Sequence, residues 1–100
     1  ANYNQSMPGA FQKEKNMPTV QERVIDVTAR VLHLDPSTIK PEDTFTTDLG
    51  AESVQSVELV AMFEEEFGIE MNEDEALSVE NVGDAARYIA EVCKQQGVDC

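Results

Sequence analysis

The chain has 100 residues, with 20 Asp and Glu against 7 Lys and Arg, for a formal charge of −13. That length makes one domain, and 41% hydrophobic residues support a small core but not a deep catalytic cleft with a cofactor-binding lobe. The acidic balance argues against a nucleic-acid backbone or an anionic lipid surface as partner, and it suits proteins with basic patches.

Residues 1–16 show no periodicity and lack the apolar core of a signal peptide. They read as a disordered extension or an expression remnant, with Met17 as the natural start of a domain over 17–97. Thr19 and Glu22 have capping-box spacing, so each can satisfy an orphan backbone N–H at a helix start. Val20, Val24, Val27 and Val31 then follow at helical steps, with Ile25 and Leu32 beside them. This first helix ends before Asp35-Pro36, because proline disfavours a helical predecessor. Residues 35–52 form a long connection with two prolines and one glycine. A loop of that length is uncommon unless pinned, and Ile39, Phe45 and Leu49 are the candidate pins.

The second helix is predicted from Ser53 to Phe67, with Gly68 as its stop. Val54, Val57, Leu59, Val60, Ala61, Met62, Phe63 and Phe67 make it apolar over more than half its circumference. One core-facing stripe needs less, so part of that surface is left exposed or covers a visitor. A short third segment is predicted near 72–77. The last helix is expected from about Asn81 to Gln96, with Val82, Ala86, Ile89 and Cys93 on one stripe, and 98–100 as a flexible tail. No strand pattern or repeat appears. The expected fold is all-α: a small four-helix bundle of three main helices and a short third, with a long loop between the first two.

Little in this chain supports catalysis. Its one histidine, His33, falls at the end of the first helix, where a cation beside the helix C-terminus or a packed residue is the plainer reading. The five glycines form no phosphate loop, and no calcium-loop pattern occurs. Cys93 and Cys100 make no Cys-x-x-Cys motif. Cys93 reads as a small buried apolar residue and Cys100 as a free, mobile thiol, so nothing calls for an oxidising compartment. No apolar run reaches the roughly 18 residues of a membrane span. Fourteen of the twenty acids lie between Pro41 and Ala86, a stretch with no Lys or Arg. It is either a solvated face or a one-sign docking surface.

The segment Asp48-Leu49-Gly50-Ala51-Glu52-Ser53-Val54 carries the sharpest signal. A glycine breaks the loop and a serine follows at a helix start. Serine is a favoured N-cap, which is the plain reading. A phosphate attached there would also project into solvent at the positive end of the helix dipole. Here residues 17–91 resemble the acyl carrier proteins. The resemblance runs through Met17, Glu22-Arg23-Val24, Phe45, the Asp48–Ser53 block, Ser56-Val57-Glu58-Leu59-Val60, Glu64-Glu65-Glu66-Phe67-Gly68, Val82 and Tyr88-Ile89. It implies a non-catalytic carrier. Its Ser53 would receive 4′-phosphopantetheine from coenzyme A through a separate phosphopantetheinyl transferase, and acyl groups would ride on the arm as thioesters. It further implies a docking helix on which Glu52, Val54, Val57, Glu58, Ala61, Glu64 and Glu65 meet basic patches of acyl-transferring or condensing enzymes. Phe45, Val60, Phe63, Met71, Ala76, Val79, Tyr88 and Ile89 fall where the family lines its acyl pocket.

Departures from the family pattern cluster beside the serine. Glu52 stands where Asp is usual, Val54 where Leu is usual and Gln55 where Asp is common; Ala61, Phe63 and Met71 also differ. They imply a specialised carrier rather than the housekeeping carrier of fatty-acid synthesis. The expected setting is cytoplasmic and monomeric, with no metal. Two alternatives remain open from sequence: an unmodified acidic interaction domain with Ser53 only a helix cap, and an acidic cation-binding protein.

Overall fold

The computed structural model describes residues 18–100. The extension predicted over 1–16, and Met17, lie outside the described residues. Four helices follow one another: α1 (Val20–Leu32), α2 (Ser53–Phe67), α3 (Glu73–Ser78) and α4 (Val82–Gln96). A single 3-10 turn at Pro36–Thr38 interrupts the long loop. The described residues contain no strand beyond one isolated bridge, between Thr44 and Asn81. The architecture is the expected all-α bundle, in which α1 packs against α2 and α4, and α2 against α3.

Local chemistry explains each helix end. Thr19 and Glu22 form the reciprocal capping box: the Thr19 N–H donates to Glu22 Oε1 (2.8 Å) and the Glu22 N–H to Thr19 Oγ1 (3.1 Å). Asn72 and Asn81 cap α3 and α4 through their side-chain oxygens, accepting from Glu75 N–H (3.0 Å) and Asp84 N–H (2.8 Å). Gly68 closes α2 in the left-handed region at φ 68°. The same role at the end of α1 falls to His33, at φ 58°, a conformation that costs a residue with a Cβ about 1–2 kcal/mol. His33→Gly relieves that cost and returns part of it as backbone entropy. A net gain of about 0.5–1 kcal/mol is expected, seen as a higher denaturant midpoint; an unchanged or lower midpoint contradicts it.

The core is shared by all the long helices. Val24, Val27 and Leu32 of α1, Leu59, Phe63 and Phe67 of α2, and Val82, Ile89 and Val92 of α4 form one buried cluster with Ile39, Phe45 and Ile69. Thr28 is buried among them because its hydroxyl donates to the Val24 carbonyl one turn back (2.8 Å). Ile39 and Phe45 are buried and Leu49 partly so, as expected of pins. Backbone bonds add to the anchoring: Phe45 N–H reaches Glu80 O (3.0 Å), Val82 N–H reaches Asp43 O (3.0 Å) and Gly83 N–H reaches Pro41 O (2.8 Å). A Cβ on Gly83 would stand 3.2 Å from that Pro41 oxygen, so the glycine lets the loop lie directly on α4.

One expectation is overturned. Cys100 is not a free thiol: it is disulfide-bonded to Cys93. Cys93 is buried as expected, but within this bond. The spacing of seven hid the pairing, because a continuous helix would hold the two about 10 Å apart. Gly97 instead reverses the chain in the left-handed region, Val98 N–H returns to the Cys93 carbonyl (2.8 Å), and the two Cα atoms come within 6.3 Å.

Candidate functional site

The loop before α2 is built to present its first residue. Asp48 closes the turn by accepting from the Thr44 N–H (2.9 Å) and hydroxyl (3.2 Å), while Thr44 Oγ1 accepts from the Asp48 N–H (3.0 Å). Gly50 takes φ 76°, with open space around it, so glycine is required there by backbone conformation and not by crowding. Ala51 then buries its methyl and donates its N–H to Phe45 O (2.8 Å). The chain then enters α2 at Ser53.

Ser53 is exposed and is the first residue within the helix. Sequence favours it as the N-cap, but the cap is Glu52, in extended conformation at φ −87° and ψ 169°. The Glu52 N–H donates to Gln55 Oε1 (2.9 Å), so the glutamine supplies the back-reaching half of a capping box. This correction matters chemically. No hydrogen bond among the described residues occupies the Ser53 hydroxyl. In the first turn the N–H groups of Ser53 and Val54 precede the first intrahelical donor, Ser56, whose N–H reaches Glu52 O (2.8 Å). Among the described residues that hydroxyl thus stands beside two N–H groups without a helical partner, at the positive end of a fifteen-residue dipole, which fits an attached phosphodiester.

Around this tip α2 divides into two faces. Leu59, Val60, Phe63 and Phe67 turn inward and are buried. Val54 (76% exposed), Val57 (45%) and Ala61 stay outside, which resolves the excess of apolar residues read from sequence. Glu52, Glu58 and Glu65 are exposed alongside them. Glu64 differs: it is half-buried, and its Oε2 accepts the Met71 N–H (2.8 Å), fixing the turn between α2 and α3. Leu77 of α3 adds an exposed apolar side chain (42%) that sequence analysis did not single out.

A cavity of about 170 Å³ opens between α2, α3 and α4. Phe45, Val60, Phe63, Met71, Ala76, Val79, Tyr88 and Ile89 all line it, together with Leu77 and Ser56 among others. Ser56 lies one helical turn from Ser53, so the cavity reaches close to the α2 tip. Its wall is tied together by the Tyr88 hydroxyl, which donates to Glu75 Oε1 (3.3 Å). Burial, and then the neighbouring Glu75 carboxylate, push the Tyr88 phenol above its ordinary value, so it stays a protonated donor.

Among the described residues, no three His, Cys, Asp or Glu side chains converge as metal ligands would. No described helix is long and apolar enough to cross a membrane.

Residues 22–89 match a family model described as a phosphopantetheine attachment site. An acyl carrier protein of Clostridium acetobutylicum is 49% identical over 70 residues, spanning 70% of this chain and 91% of that protein. The acyl carrier protein of Caulobacter vibrioides is 43% identical, across 75% of this chain and 96% of its own length. That of Phenylobacterium zucineum is 44% identical over 75% and 95% respectively. By this match and these identities, over a helical bundle, the chain belongs to the acyl carrier proteins, non-catalytic carriers that bear a 4′-phosphopantetheine group.

Proposed function

We propose that Ser53 is the residue that bears the phosphopantetheine. The observation that carries this reading is its exposed hydroxyl, without a hydrogen-bond partner among the described residues, on the first turn of α2 near the cavity. A phosphopantetheinyl transferase that reaches this tip meets a hydroxyl it need not first release from a cap. When bound, the group supplies a terminal thiol that holds acyl chains as thioesters. Ser53→Ala is expected to abolish the single mass adduct formed with coenzyme A and a broad-specificity transferase, while Ser56→Ala retains it. An adduct surviving Ser53→Ala contradicts the assignment.

In the same reading the cavity shelters the acyl chain. Phe45, Val60, Phe63 and Ile89 supply its buried walls, and Met71, Ala76, Val79 and Tyr88 its half-buried side. An apolar cavity of about 150 Å³ is known to admit benzene, so this one suits the first several carbons of a chain.

The outer face of α2 serves as the docking surface. Val54, Val57 and Ala61 give apolar contact, and Glu52, Glu58 and Glu65 give charge. Glu64 contributes mainly by holding Met71, because one of its oxygens is already engaged. The partners are the transferase and enzymes of acyl transfer or condensation with basic patches, met as a monomer in the cytoplasm. Gln55, a neutral cap where the family commonly has Asp, lowers the charge beside Ser53. With Glu52, Val54 and Ala61 it favours a specialised carrier over the housekeeping one.

Charge steering has a direct readout. Raising salt from about 0.1 M to 1 M shortens the Debye length from about 10 Å to about 3 Å. The kcat/KM of a partner enzyme for the loaded carrier is expected to fall about tenfold, mostly through slower association. An unchanged value would return these acids to a role in solubility.

A further inference from the structure

We propose that Cys93 and Cys100 form a reversible redox couple, oxidised by a low-molecular-weight disulfide and reduced by thiols, that clamps the end of α4. The inference does not need Ser53 to be the modified residue, but it rests on the cytoplasmic setting proposed above. The cysteines are the only two in the chain, and the structure pairs them. Carriers that draw on coenzyme A in a reducing compartment do not keep ordinary disulfides closed; cytosolic bonds of this kind are usually transient or redox-sensing.

The environments of the two sulfurs set the order of events. Cys100 is exposed, whereas Cys93 is 2% exposed within the core cluster. In oxidation, the Cys100 thiol loses its proton and its thiolate attacks the small disulfide, expelling one small thiolate and leaving a mixed disulfide. The Cys93 thiol then loses its proton and attacks the Cys100 sulfur, expelling the second. Two protein thiols are oxidised, one small disulfide is reduced to two thiols, and the electrons balance. In reduction an external thiolate must enter at Cys100, and the leaving Cys93 thiolate forms in an apolar site that disfavours its charge.

The clamp reaches beyond the tail. It ties the chain reversal at Gly97 and Val98 to the last turn of α4, where Gln96 sits. Gln96 Nε2 donates to Glu70 O (2.6 Å) and Gln96 Oε1 accepts the Glu70 N–H (3.1 Å). Glu70 precedes Met71, which lines the cavity. The oxidised form therefore holds the α2–α3 connection as well as the end of α4.

The test uses the full chain carrying Ser53→Ala, so that no arm thiol competes. Thiol titration is expected to count two thiols after dithiothreitol and none after oxidised glutathione, with the mass of a monomer. The melting temperature should fall by roughly 5–10 °C on reduction, and amide exchange at Glu70 and Val98 should quicken. Adding Cys93→Ser should trap one glutathione on Cys100, whereas adding Cys100→Ser should leave the folded protein unmodified. Thiols that persist in oxidised glutathione, a disulfide that native protein keeps in dithiothreitol, a disulfide-linked dimer, or trapping on Cys93 instead of Cys100 would each overturn the proposal.

Discussion

Ile89→Ala is expected to destabilise the domain by about 3–5 kcal/mol. Ile89 is 1% exposed at the middle of α4, within the buried cluster that joins the three long helices. Removing its branched side chain loses the transfer energy of three carbons. It also enlarges a void that already exists, because Ile89 lines the cavity. Core sites recover part of such a loss when neighbours collapse inward, but neighbours that already border an opening have less to gain by moving. A domain of about 80 residues is stable by only about 4–12 kcal/mol, so this substitution removes about a quarter or more of the total. The melting temperature should drop by more than about 12 °C, since each kcal/mol moves it roughly 4–8 °C at this size. Chemical denaturation checks the value, with the m-value unchanged if only packing is altered. A loss under about 1 kcal/mol would show that the cavity wall repacks freely.

Arg23→Ala is the second large effect, at about 2 kcal/mol. Arg23 latches α1 to the end of α2. Its Nη2 donates to the Glu66 carbonyl (2.9 Å), its Nε to Glu66 Oε2 (3.1 Å), and its guanidinium lies 4.3 Å from the centre of the Phe67 ring. The carbonyl is one of the oxygens a helix C-terminus leaves without an internal partner, and it is also where a cation is favoured. A hydrogen bond to a charged group contributes about 1.5–3 kcal/mol and cation–π contact about 0.5–1 kcal/mol, without simple additivity. The Coulomb part is minor: both side chains keep about a third of their surface in water, and such pairs contribute at most about 1 kcal/mol. Arg30 reaches the same carboxylate at 3.6 Å but is 60% exposed and adds little. Arg23→Lys keeps the charge yet loses the planar fork, so it should recover less than half of the loss. The loss from Arg23→Ala should persist at 1 M salt. If it vanishes there, the ion pair and not the carbonyl bond and ring contact holds the latch.

These two residues also mark where sequence stops being informative. Apolar spacing alone places Ile89 in the core, because periodicity within one helix is a local property. The same holds for Thr19, paired with Glu22 three residues on, and for Gly68 and Gly97, whose left-handed conformation suits glycine. The pocket residues were legible through a family pattern and not through physics: Phe63 or Val79 would read the same way in a solid core. Arg23 is different. Its partners lie 43 residues away, and no local pattern links them. The Glu64 bond to Met71 and the Gln96 bonds to Glu70 were hidden for the same reason. The Cys93–Cys100 bond needed the reversal at Gly97 to be combined with the spacing, and spacing alone points away from it. Glu52 and Gln55 were within reach. Their separation of three is that of a capping box, but the N-cap preference of serine points one residue too far along.

The position of that cap bears on the function. A serine that caps its own helix has its hydroxyl engaged, and modification must break that bond. With Glu52 and Gln55 closing the backbone instead, the Ser53 hydroxyl has no partner among the described residues. This cap also gives Gln55 a reason to be glutamine, since its side chain is committed to the Glu52 N–H.

The most direct test of the central claim is to purify the protein from its own cells and locate the phosphopantetheine by fragment-ion mass spectrometry. One group is expected, on Ser53, with Ser56 and every other hydroxyl unmodified. A group on any other residue, or none on protein that is actively passing acyl chains to its partners, would contradict it.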